Sequence, residues 1–75
     1  MSKEEFKKYI ESIGFKYDSY SYLYKNYQID LYNNYYNFYN GLNWWWYKDY
    51  DDLTDLETIF KKELRSIKLK QLLSL

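Results

Sequence analysis

The 75 residues contain no cysteine, histidine, proline, alanine or valine, and only two glycines. Without cysteine there is no disulfide and no thiolate metal site; this suits a reducing compartment. Without histidine or cysteine the usual general bases and thiol nucleophiles are missing, which argues against most catalysis and leaves no expected cofactor or metal. Lysine plus arginine and aspartate plus glutamate balance at 11 each, so no global field draws the chain to nucleic acid or to a membrane. No apolar run is long enough to span a bilayer, and Ser2-Lys3-Glu4-Glu5-Phe6 lacks the apolar centre of a targeting signal. A chain of this length makes one small domain that buries about 60% of its unfolded surface. Heavy use of Lys, Asn, Tyr and Ile fits an AT-rich genome, which is a matter of codons rather than of physics.

What the chain does have is concentrated between residues 17 and 50. This stretch holds 11 of the 12 tyrosines, all three tryptophans and Phe38, with only five charges: Asp18, Lys25, Asp30, Lys48 and Asp49. Aromatic enrichment favours strands. Lys25-Asn26, Asn33-Asn34 and Asn40-Gly41 punctuate it as two-residue turns, and Asn-Gly is the strongest short hairpin signal of the three. The expected strands are Ser19–Tyr24, Tyr27–Tyr32, Tyr35–Tyr39 and Leu42–Tyr47. Residues flanking a two-residue turn point the same way, so Tyr24 sides with Tyr27, Tyr32 with Tyr35 and Tyr39 with Leu42. One face then carries Tyr20, Tyr22, Tyr24, Tyr27, Ile29, Leu31, Tyr36, Phe38, Trp45 and Tyr47. The other mixes Ser19, Ser21, Gln28, Asp30 and Asn37 with Leu23, Tyr32, Tyr35, Tyr39, Leu42, Trp44 and Trp46, and its polar members mark it as outer. In this register Tyr35 pairs with Trp46 and Asn37 with Trp44.

Helices flank the sheet. Ser2 and Glu5 form a capping box, Phe6, Tyr9, Ile10 and Ile13 make one apolar face, and Gly14 ends a helix over Lys3–Ile13. Thr54 and Glu57 make a second box, opening a helix from about Asp55 to about Leu73 with Leu56, Ile59, Phe60, Leu64 and Ile67 inward. Leu69, Leu72, Leu73 and Leu75 drift off that stripe, so the helix bends there or its tail covers a second surface. The expected fold is α+β: a four-stranded antiparallel meander with N-terminal and C-terminal helices on one face, in the order α-β-β-β-β-α. Ile10, Ile29, Phe38, Phe60 and Leu64 are its expected shared core.

Three groups of residues could carry function. Asp49, Asp51, Asp52, Asp55 and Glu57 could pair for acid–base or Mg²⁺ chemistry, but a helix start that wants negative charge accounts for them. Lys61, Lys62, Arg65 and Lys68 form a basic helix stripe, which is either a solvated face complementing the helix dipole or a contact for phosphates or an acidic protein. Tyr32, Tyr35, Tyr39, Leu42, Trp44 and Trp46 form an outer aromatic patch, unless the register is off by one. A small single-stranded-RNA-binding module would combine the last two groups. The element order resembles double-stranded-RNA-binding domains, but the second helix starts acidic where that family is basic.

The runs Tyr35-Tyr-Asn-Phe-Tyr-Asn-Gly41, Tyr50-Asp-Asp-Leu-Thr54 and Phe60-Lys-Lys-Glu-Leu-Arg-Ser-Ile-Lys-Leu-Lys-Gln-Leu-Leu73 look like small phage and prophage proteins of AT-rich bacteria. Proteins of that kind include anti-CRISPR inhibitors. The resemblance implies a non-enzymatic inhibitor in the cytoplasm of a host bacterial cell; the chain is expected to be a monomer or a homodimer joined through the aromatic face. Its partner would be a defence nuclease, a CRISPR RNA-guided effector leaning toward the type VI RNases, with the guide RNA as a further contact. The Trp44-Trp45-Trp46 triplet is not part of this resemblance.

Overall fold

The structure, a computed structural model, describes the backbone of residues 1–73 and the side chains of residues 1–67. The fold is α+β, with the elements α1 (Lys3–Ile13), β1 (Lys16–Asp18), β2 (Ser21–Tyr24), β3 (Tyr27–Leu31), β4 (Tyr36–Tyr39), β5 (Trp44–Lys48), α2 (Thr54–Ile59) and α3 (Lys61–Leu73). The sheet is an antiparallel meander of five strands in sequence order, not four. The extra strand is β1, joined to β2 by the tight turn Ser19-Tyr20, with Ser19 at φ 60°. Tyr20 is therefore at a turn tip and 90% exposed rather than on the inner face. Ser19 is only a weak turn former, Tyr20 is none, and three residues are too few to show an alternation, so the sequence hides this hairpin.

α1 begins and ends as its sequence requires. Ser2 Oγ accepts from the Glu5 N–H at 3.1 Å and Glu5 Oε1 accepts from the Ser2 N–H at 3.1 Å. At the other end the Phe15 N–H reaches the Ile10 carbonyl at 3.1 Å while Gly14 takes φ 135°. A Cβ on Gly14 would lie 2.6 Å from Tyr24 Cε1, so both the backbone angle and the close ring demand glycine. The tightened end turns Phe15 back into the core, where it is buried.

The C-terminal helix differs from expectation in two ways. It starts at Thr54, with Leu53 at the cap and no side-chain cap bond, so the Thr54/Glu57 box does not form. Lys48 Nζ lies 2.7 Å from Asp55 and 3.7 Å from Asp52, which ties the first turn to the sheet instead. The helix then breaks at Phe60 (φ −102°, ψ 29°), dividing it into α2 and α3. Phe60 is buried among Phe15, Tyr24, Tyr27 and Phe38, with ring centroids 4.8–6.3 Å away. Ile10, Ile29 and Phe38 are buried with it, and Leu64 packs half-buried against this cluster. Phe6 meets Tyr36 at 4.4 Å and Tyr50 at 5.1 Å, both with tilted rings. Both helices thus close the same face of the sheet. Leu69, Leu72, Leu73 and Leu75 lie outside the described side chains. Among the described residues no helix is long and apolar enough to cross a membrane.

Phe60→Ala should cost about 3–5 kcal/mol, the usual range for a buried phenylalanine. That approaches the whole stability of a small domain. Circular dichroism should find the variant largely unfolded; a cooperative melt close to that of the parent would show that the α2–α3 junction is not docked as described.

Alkaline pH supplies a second check. Burial pushes the Tyr36 hydroxyl far above its ordinary range and also raises Tyr9, Tyr22 and Tyr50. The folded state holds these protons while the unfolded chain releases them near pH ~10. Stability is therefore intact below pH ~10 and falls as pH climbs toward the raised folded values. In an absorbance titration these tyrosines should ionise only as the circular dichroism signal collapses. Ionisation of all 12 tyrosines in one step near pH ~10 with the fold intact would refute their burial.

Candidate partner-binding surface

The outer face of the sheet is built by register and by one bulge. Asn40 and Asn43 pair, with the Asn40 N–H reaching the Asn43 carbonyl at 3.2 Å, and Asn40 Oδ1 accepts from the N–H groups of Leu42 (2.9 Å) and Asn43 (2.7 Å). The turn is thus Asn40–Asn43, with Gly41 at φ 92°. Tyr39 pairs with Trp44 rather than with Leu42, and Phe38 with Trp45. The Asn40 side chain claims the two N–H groups that a tight Asn-Gly turn would have placed otherwise. The slip is two residues, which equals the strand period, so every face assignment up to Trp46 survives it.

Beyond Trp46 the assignment changes. Tyr36 pairs with Lys48, so Trp46 and Tyr47 together stand opposite Asn37. Tyr47 takes φ 57° and donates its N–H to Asn37 Oδ1 at 3.0 Å. Asn37 is 3% exposed, so that bond satisfies a polar group with little access to water. The bulge moves Tyr47 from the inner face, where strict alternation puts it, to the outer one. It also turns Lys48 inward, where its ammonium lies 5.8 Å from the Trp45 ring centroid and is held charged first by Asp55.

Two aromatic ladders result. In one, Tyr32 stacks on Tyr35 at 4.8 Å and Tyr35 meets Tyr47 at 4.9 Å. In the other, Tyr39 meets Trp44 at 4.8 Å and Trp44 stacks on Trp46 at 5.4 Å. The bulge sets Trp46 beside Tyr47, joining them. Trp46 is 59% and Tyr47 75% exposed, and Tyr32 is open as well. Trp45 packs against the core only as a half-buried margin residue. Leu42 is exposed at the turn. Outward charges near the ladders are sparse: Asp30 is engaged with Ser21 and Gln28, and Lys16 lies on β1, at the far edge of the sheet.

The structure therefore brings together Tyr32, Tyr35, Tyr39, Trp44 and Trp46, and adds Tyr47. It does not join them to the basic stripe. Lys61, Lys62 and Arg65 are exposed on α3, and α3 sits across the core from the outer face. The Lys68 side chain lies outside the described residues. Of the acidic residues, Asp52 and Asp55 are taken up by Lys48 and Asp51 by the Met1 amine. Among the described residues no group of three or more His, Cys, Asp or Glu side chains is placed to hold a metal. Sequence reasoning missed Tyr47; the one available signal was the Asp52/Asp55 pair, whose need for a cation pulls Lys48 inward and its neighbour outward. No family model, no curated protein and no solved structure matches this chain.

Single-tryptophan variants check this surface. Acrylamide should quench Trp46 most strongly, with Trp44 and Trp45 both shielded. Trp46→Ala should stay within about 0.5 kcal/mol of the parent. Trp45→Ala should cost about 2 kcal/mol, below the usual range for a fully buried ring. The reverse order of the two variants would invert the face assignment.

Proposed function

We propose that this protein is a small non-catalytic binding protein whose working surface is the aromatic outer face of β3–β5, and that its partner is another protein. The observation that carries this is the pair of joined ladders ending in the exposed Trp46 and Tyr47. The helices close the other face of the sheet, so the fold does not bury these rings. Exposed contiguous aromatic surface on a small protein is where partners dock, and Trp and Tyr are favoured binding anchors. The face is also poor in cations, whereas a strand of RNA is held largely through its phosphates. A module that used the ladders and the α3 lysines on one RNA strand would have to reach around the core.

The resemblance of the chain to phage anti-CRISPR proteins gives the partner a class. It would be a bacterial RNA-guided effector nuclease, of the type VI kind, blocked at guide or target RNA binding or at activation. The protein would then act in the cytoplasm of the host cell.

The test is direct binding to a purified type VI effector. Trp46→Ala or Tyr47→Ala should weaken the complex by about 2 kcal/mol, or about 30-fold, if either is an anchor. Binding should depend only weakly on salt. Unchanged affinity in both variants would remove the outer face from the interface. Loss of binding only in Lys61→Glu or Arg65→Glu would move the interface to α3.

A further inference from the structure

The side of the molecule away from the ladders holds a groove of different chemistry. It has a volume of about 360 Å³ and is lined by Lys3, Lys7, Tyr17, Tyr20, Tyr22 and Leu31. That volume lies at the lower end for small-molecule sites. Tyr22 and Leu31 belong to the inner face of the sheet, and Lys3 and Lys7 stand one above the other on α1. β1 contributes Tyr17, which stays 63% exposed although it lies on the inner face. Its hydroxyl donates to the Ser19 carbonyl at 2.7 Å, fixing the ring against the turn, and its ring meets Tyr22 at 5.2 Å. The same turn, through the positive φ of Ser19, throws Tyr20 into solvent at the groove's rim.

We infer that this groove binds a nucleotide, with its base against Tyr17, Tyr20 and Tyr22 and its phosphate at Lys3 and Lys7. Tyr17 and Tyr20 offer exposed ring faces to any base above the buried edge of Tyr22, and two ammoniums offer point charges to a phosphate. The charges around the lysines are specific. Lys7 Nζ is held 3.1 Å from the exposed Glu4, and the Tyr22 hydroxyl is raised first by its burial and then by nearby Glu11. Lys3 forms no ion pair among the described residues. It is thus the principal phosphate ligand, and Lys7 is positioned by Glu4. A phosphotyrosine peptide is the weaker fit, because bidentate Arg is what usually grips its phosphate and the groove has none. The site is separate from the outer face and does not depend on the function proposed for that face.

Amide and side-chain NMR of the whole protein, titrated with adenosine 5′-monophosphate, tests the inference. Signals of Lys3, Lys7, Tyr17, Tyr20 and Tyr22 should shift together and saturate. Adenosine and inorganic phosphate should each bind about tenfold or more weakly, because each lacks half of the contacts. Tyr20→Ala, at a position too exposed to matter for folding, should weaken binding about fivefold or more. Lys3→Gln should weaken it several-fold and flatten its salt dependence. Trp46→Ala should leave it unchanged, so failure here and failure of the outer-face interface are separable. A pentamer of single-stranded oligoadenylate that binds more tightly at the same signals makes RNA the source of the nucleotide. Equal or weaker binding makes it a free nucleotide, and either result supports the site. No saturable shift in the groove, equal binding of inorganic phosphate alone, tighter binding of O-phosphotyrosine, or full affinity in both groove variants would overturn it.

Discussion

The fold depends on the way Phe60 is seated. Its ring is enclosed by Phe15 from the end of α1, Tyr24 and Tyr27 from the β2–β3 hairpin, and Phe38 from the centre of the sheet. Each of these comes from a different stretch of chain, so one side chain links both helices to the sheet. The helix break at Phe60 follows from the same demand. An unbroken helix along 54–73 would aim its residues at fixed 100° steps, and curvature alone would have to fit Leu56 and Leu64 to a twisted sheet. The break lets Leu56 bury on one side of the junction and Leu64 pack on the other. With no valine or alanine available, rings rather than branched aliphatics fill the space. Rings pack by edge and tilt, which explains why most of the close pairs are neither parallel nor face to face.

Where the sequence speaks through local chemistry, the structure follows it. α1 was legible to the residue, because its cap, its stripe and its terminal glycine all act within a few positions of one another. The β2–β3 pairing across Lys25-Asn26 was legible too, Lys25 accepting φ 54° to close the turn. The Asn40-Gly41 hairpin was read two residues short because Asn40 acts through its side chain, which a turn signature based on backbone angles does not see. β1 was invisible because its partner is supplied by the fold rather than by any pattern of its own. The second capping box is absent because the helix opens one residue early, with Leu53 rather than Thr54 at the cap; Lys48, brought inward by the bulge, pairs instead with Asp55 in that first turn.

The candidate surface was legible in parity but not in extent. A two-residue slip cannot move a side chain across a sheet, so Trp44 and Trp46 stayed outward through an error in register. A bulge is different, since one added residue inverts everything after it. This is why Tyr47 and Lys48 exchanged sides relative to strict alternation. The exchange has two consequences that support each other. It delivers a cation to Asp52 and Asp55 at the sheet–helix junction, and it delivers a fourth tyrosine to the outer ladders.

That coupling bears on why the aromatic face is open. Tyr47 holds a left-handed backbone angle that a tyrosine adopts at some cost, and Asn37 is buried to receive its N–H. A glycine at 47 would take the same angle more easily and would still let Lys48 turn inward. The junction therefore explains the bulge but not the ring that sits on it. A ring that the fold pushes outward, stacks on Tyr35 and leaves largely exposed is more readily explained by contact with another molecule than by stability. The same reasoning separates Trp46 from Trp45: Trp45 shields the Lys48 ammonium and Phe38, whereas among the described ring pairs Trp46 meets Trp44 on the outer face. Folding stability therefore depends on the first far more than on the second.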